Sequence, residues 1–150
     1  MNCNRNFQKS ALDTYTIQET AVATNAALPL ELNYISTGSS ISHTAGSTTI
    51  NLLKSGLYLV TFSAVGAEST TAGEVTIQLY RNGVAVPGAL ATITSANTTD
   101  ALTFSFASLI QTKDVCPCAS VGNPSIPLTF INMGVAATFS NIKVTVTKLA

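Results

Sequence analysis

Charge is the first thing this sequence is short of. Only 9% of its 150 residues are charged, against about 25% in an average soluble domain. A surface that poor in charge is contained in a large assembly or partly covered by copies of itself, because mixed charge ordinarily keeps monomers apart. The expected state is therefore an oligomer. The seven basic residues, Arg5, Lys9, Lys54, Arg81, Lys113, Lys143 and Lys148, balance seven acidic ones. They are scattered rather than striped, so the electrostatic footprint of a nucleic-acid binder is missing.

Other absences narrow the field further. No apolar run approaches the roughly 18 residues of a membrane span. The first 20 residues, MNCNRNFQKSALDTYTIQET, lack the apolar centre of a secretory signal. With a methionine at the start, synthesis in a cytoplasm is expected, any outside location being reached by assembly or lysis. Cysteine is sparse and odd in number, Cys3, Cys116 and Cys118, which argues against a disulfide framework. Cys116-Pro117-Cys118 has the look of a metal half-site or a strained redox pair. A zinc site needs two further ligands, and only Cys3 and the single histidine, His43, remain. Small buried or loop thiols are the default reading, and no metal or cofactor is expected.

Catalytic signatures are equally thin. His43 is the one histidine a Ser-His-Asp device could use, no Gly-x-Ser-x-Gly elbow accompanies it, and its Ser/Thr-rich surroundings suggest a solvated loop residue. The acidic residues Asp13, Glu19, Glu31, Glu68, Glu74, Asp100 and Asp114 show no spacing that would pair them for glycoside hydrolysis. Phosphate-cradling loops are absent, and no catalytic residue is assigned. Tryptophan is absent and the four tyrosines are scattered, so no flat platform for stacking on sugars stands out. The Asn97-Thr98-Thr99 sequon has no secretory route to make it meaningful.

What the sequence does have is a succession of short strand-like segments divided by turns. The organising one is Gly56 to Val65, where Tyr58, Val60, Phe62 and Ala64 fall on one side at period two, and Leu57, Leu59 and Val65 on the other, interrupted by Thr61 and Ser63. One side suits a core; the first half of the other also calls for cover, from a second sheet or a neighbouring subunit. Around it, Leu30 to Ile35, Thr48 to Leu53, Glu74 to Arg81, Val84 to Thr94, the Leu102/Phe104/Phe106 stretch, Leu128 to Ile131 and the Ile142/Val144/Val146 stretch read as strands, with a short exposed one at Ile41 to Ala45. Asn82-Gly83 is a hairpin turn signal, since both residues tolerate positive φ. Gly66 to Gly73 and Ser95 to Thr99 read as loops. With no helical period and no fixed repeat, these segments predict an all-β, antiparallel sandwich or barrel.

Three stretches carry a family likeness: SISHTAGSTTINLLKSGLYLVTF at residues 40–62, LIQTKDV at 109–115, and ATFSNIKVTVTKL at 137–149. They resemble the C-terminal heads of collagen-like exosporium surface proteins, within the TNF-like and complement-q-like jelly rolls. Two positions depart from that pattern: Lys113 and Asn141 stand where glycine is common in the family. The resemblance covers about residues 25–150 and implies a compact homotrimer of ten-stranded jelly-roll sandwiches without enzymatic activity. Tyr58, Phe104, Phe106 and Phe139 are the candidate interface aromatics, although for any one of them ordinary core is the favoured reading.

The collagen-like Gly-X-Y stalk of that family is missing. Residues 1–20 read instead as an arm or tether and residues 21–150 as the head. A head with a short tether resembles bacteriophage structural proteins such as a capsid decoration protein or a fibre tip. The expected location is a virion surface, with self and a capsid protein as partners. The alternative is a spore- or cell-surface adhesin whose loops at Gly66 to Gly73 or Ser95 to Asp100 hold a host glycan or receptor.

Overall fold

The computed structural model describes residues 9–69, 71–97, 100–113 and 125–150. The Cys-Pro-Cys step, Cys3, Asp114 and the threonines of the sequon lie outside these residues. Among them the chain forms eleven strands and no helix: β1 (Ala11–Thr16), β2 (Thr20–Val22), β3 (Leu32–Thr37), β4 (Ile41–His43), β5 (Ile50–Leu52), β6 (Gly56–Ser69), β7 (Gly73–Arg81), β8 (Val84–Ser95), β9 (Leu102–Thr112), β10 (Ile126–Asn132) and β11 (Ala137–Lys148). Two antiparallel sheets face each other. One runs β3-β1-β11-β6-β9 with β2 beside β11, the other β4-β5-β10-β7-β8.

The organising strand is β6. Its inward residues Tyr58, Val60, Phe62 and Ala64 are at most 2% exposed. They meet inward residues of β11 (Ile142, Val144, Val146), of β9 (Phe104) and, from the opposite sheet, Ile77, Leu79, Leu128 and Phe130. The sheets are joined through aromatic rings: Phe62 stacks on Phe106 and on Phe130 with centroids 5.1 Å apart in both pairs. Asn82 and Gly83 both have positive φ (49° and 76°), the mirror-image turn their sequence predicts.

Three expectations need correction. Residues 11–16, assigned to the arm, are an inner strand, hydrogen-bonded to β11 on one side and β3 on the other. The reason is that two of the inward side chains of β1 are threonines, which look polar in sequence. Inside, Thr14 Oγ1 donates to the Leu32 carbonyl at 2.8 Å and Thr16 Oγ1 to the Pro29 carbonyl at 2.8 Å, so both hydroxyls are buried at little cost. Gly66 to Gly73 is not a free loop, since β6 continues through Ser69 and β7 begins at Gly73. A Cβ at Gly66 would meet the Phe104 ring at 2.5 Å, so this glycine lets an aromatic lie on the strand. Finally, the β4 segment is not simply exposed, because Ile41 is buried.

Tyr58 links this core to alkaline stability. Its hydroxyl donates to the Lys54 carbonyl at 2.6 Å. Burial pushes its phenol above the ordinary range, with the hydrogen bonds at Ser40 and Lys54 drawing it part of the way back. A raised folded-state value means the native protein holds the proton more tightly than the unfolded chain. That contribution is complete below the unfolded value and is lost as pH rises through the folded one. Between about pH 9 and 12, Tm of the wild type should fall more steeply than that of Tyr58→Phe; parallel curves would remove this phenol from the alkaline limb.

Candidate interaction surface

The pleat that buries one side of the six-stranded sheet presents the other to the outside. The strand register lays that outer side out in rows. Ala11, Thr147, Leu59 and Leu109 lie side by side across β1, β11, β6 and β9; then come Asp13, Thr145, Thr61 and Ala107; then Tyr15, Lys143, Ser63 and Ser105. Threonine, serine and alanine dominate. Leu109 is 57% exposed, beside Leu59, with Leu57 in the next position along β6. The charged side chains in these rows are Asp13 and Lys143, and they neutralise each other through a 3.1 Å ion pair.

The sequence-based interface candidates sit elsewhere. Tyr58, Phe104 and Phe139 have no exposed surface in the protomer, and Phe104 packs against Phe139 with centroids 5.8 Å apart. Phe106 is half-buried in the ring cluster with Phe62 and Phe130. All four stand on inward positions of their strands, and one residue of register separates them from the outer rows. Leu57, Leu59 and Leu109 stand on the outer side instead, and for the first two the sequence signal is the second apolar side of β6.

A groove of about 320 Å³ opens at the β1–β3 end of the same face, between Tyr15, Ile17 and Tyr34 on one side and Asn141 and Lys143 on the other, with Asp13 among its lining residues. Tyr34 and Ile17 are 73% and 61% exposed. Two irregularities flank it, a register shift between Asp13 and Thr14 against β3 and another between Ser140 and Lys143 against β6. The second contains Asn141 at φ 49°, a left-handed conformation that asparagine enters more readily than most residues. That accounts for asparagine at a position where the resembling family favours glycine.

His43 is not a free loop residue. Its Nδ1 lies 2.6 Å from Asn33 Oδ1 and its Nε2 3.0 Å from the Ser47 carbonyl, while Asn33 Nδ2 donates to the His43 carbonyl at 3.0 Å. The imidazole thus brackets β3 to β4 across the edge of the sandwich, with both nitrogens engaged. Among the described residues, no three His, Cys, Asp or Glu side chains come together as a metal-binding cluster, and no helix is long and apolar enough to cross a membrane.

This architecture is found in solved structures. Murine APRIL superposes with a TM-score of 0.67 at 13% identity, covering 94% of this chain and 99% of that one. The Eiger TNF of S. frugiperda gives 0.68 at 13% identity, covering 95% and 94%. The PRD1 vertex protein P5 gives 0.52 at 20% identity, covering 95% and 97%. The globular domain of the zebrafish complement 1qA protein has the same fold at 7% identity, with a TM-score of 0.56 and coverage of 92% and 94%. No family model and no curated protein sequence matches the chain. The protein has the jelly-roll sandwich fold of these TNF-like and complement-q-like structures. At these identities the likeness extends to the fold.

Proposed function

We propose that the chain is a homotrimeric structural head on a virion surface, a capsid decoration protein or fibre tip. The observation that carries this reading is the outer face of the six-stranded sheet. It is neutral, built mainly from small residues, and apolar where Leu57, Leu59 and Leu109 meet. A face without net charge can approach its own copies without repulsion, and a closed ring buries it in every subunit. Around a threefold axis the three copies of Leu109 would cluster, with Leu57 and Leu59 behind them. The likeness to a vertex protein supports a place on a particle.

Two measurements test this together. Light scattering of the purified chain at several concentrations should give a constant mass of three times 15.5 kDa. An antiserum against it should decorate intact particles at their surface. A concentration-independent monomer would end the trimer, and unlabelled particles would end the virion assignment.

A further inference from the structure

We propose that the free backbone edge of β9 is capped by the hydroxyl-bearing rows of a neighbouring copy of this chain, so that subunits meet edge on face. This rests on the homotrimer reading and names the second surface it needs, because a ring closed about a threefold axis joins two different patches of each subunit. The edge can be traced from the hydrogen bonds. Leu57 is bonded towards β11: its N–H donates to the Ala150 carbonyl at 2.9 Å and its carbonyl accepts from the Leu149 N–H at 2.7 Å. Backbone groups alternate sides along an antiparallel strand, so Tyr58, Val60 and Phe62 are bonded to β9, opposite Ile110, Ser108 and Phe106. The backbone groups left pointing outward belong to Thr103, Ser105, Ala107, Leu109 and Gln111. Each of these residues is exposed, and their N–H and C=O groups have no backbone partner among the described residues. The trimer reading brings Leu109 to the axis, so these groups leave water on assembly, and a buried N–H or C=O without a partner is costly.

The other sheet edges are closed. β3 and β4 are bracketed by Asn33 and His43. β8 loops out at Pro87 and Gly88 (φ 74°), where its register against β7 breaks, and Gln78 Nε2 holds that loop by donating to the Val86 and Ala89 carbonyls at 2.8 and 3.1 Å. By contrast, β9 has no proline, no charged residue and no register shift against β6, and such an edge invites a partner. The outer face of the same sheet carries the matching groups. The hydroxyls of Thr61, Ser63, Thr145 and Thr147 make no hydrogen bond within the protomer among the described residues, and a hydroxyl serves N–H and C=O alike because it both donates and accepts. Spacing agrees as well, since the outward edge groups and the hydroxyl rows both repeat every second residue, about 6.8 Å. A threefold axis along the strands leaves each row at its own height, which brings Ala107 of one subunit level with Thr61 and Thr145 of the next. Strand addition at β9 would leave Leu57, Leu59 and Leu109 in water, whereas packing the edge on the face covers them and the edge together.

The test takes the mass of the full chain by light scattering and then, on the same sample, amide hydrogen exchange read residue by residue. In the trimer the amides of Ser105, Ala107 and Leu109 should exchange at least about a hundredfold more slowly than in an unstructured peptide. Those of Phe106, Ser108 and Ile110, bonded to β6, are slow in either case and report that the sheet is intact. Thr61→Val combined with Thr145→Val keeps the side-chain shape and removes the hydroxyls, so isotope-labelled and unlabelled trimers of this variant should swap subunits about tenfold faster than the wild type. A purely apolar contact would gain from the added methyl groups instead. A trimer whose Ser105, Ala107 and Leu109 amides exchange as in an unstructured peptide, or a valine variant that swaps subunits no faster than the wild type, overturns the capping and leaves the trimer standing. A mass of two copies would mean that edges pair strand to strand and overturns both, as does a monomer.

Discussion

Leu109→Arg is expected to turn a particle of three times 15.5 kDa into one of 15.5 kDa at every concentration accessible to light scattering, with the fold retained. Leu109 is 57% exposed in the protomer and points away from the core, so the isolated subunit tolerates a long polar side chain there. In the proposed trimer three such side chains would meet at one axis. Each buried guanidinium without a partner costs several kcal/mol, and three like charges in contact add repulsion. Leu90→Arg, also an exposed leucine but on β8 of the other sheet, is the control and should leave the mass unchanged. A Leu109→Arg protein that stays at the mass of the wild type would place the subunit contact elsewhere.

Phe130→Ala should be the most damaging single truncation in the core. Phe130 is fully buried on β10, in the five-stranded sheet, and its ring lies against two rings of the other sheet, Phe62 at 5.1 Å and Phe106 at 6.2 Å. Removing it deletes a contact between the sheets and leaves a cavity walled by β-strands whose hydrogen-bonded backbones cannot collapse inward. The expected loss is about 3–5 kcal/mol, a large share of the ~5–15 kcal/mol that a domain has, and a fall in Tm of about 6–20 °C. Thermal unfolding followed by circular dichroism measures it. A shift below about 2 °C would mean that the ring cluster does not join the sheets.

Much of this was legible in the sequence, and the reasons are local. A period of two places Tyr58, Val60 and Phe62 on one side of β6 whatever its neighbours are. Asn82-Gly83 has one favoured turn geometry, and a chain with these periods has few alternatives to an antiparallel sandwich. Where reading failed, the deciding interaction was distant in sequence. Thr14 and Thr16 are inward residues because carbonyls 13 to 18 residues away receive their hydroxyls. Gly66 belongs to a strand because Phe104 lies over it.

The candidate surface divides along the same line. Composition and alternation by themselves determined an all-β, charge-poor chain with an unsatisfied second side on its central strand, because both are properties of residues within a few positions of one another. Only the tertiary structure decided that the aromatic candidates turn inward while Leu59 and Leu109 turn outward, since that depends on which side of the pleat the opposite sheet covers. Only it brought Asp13 and Tyr15 to Lys143 and Asn141, more than a hundred residues away along the chain. Pairing of β1 with β11 makes them neighbours, and hydrogen bonds between strands carry no trace of that distance in the local sequence of either one.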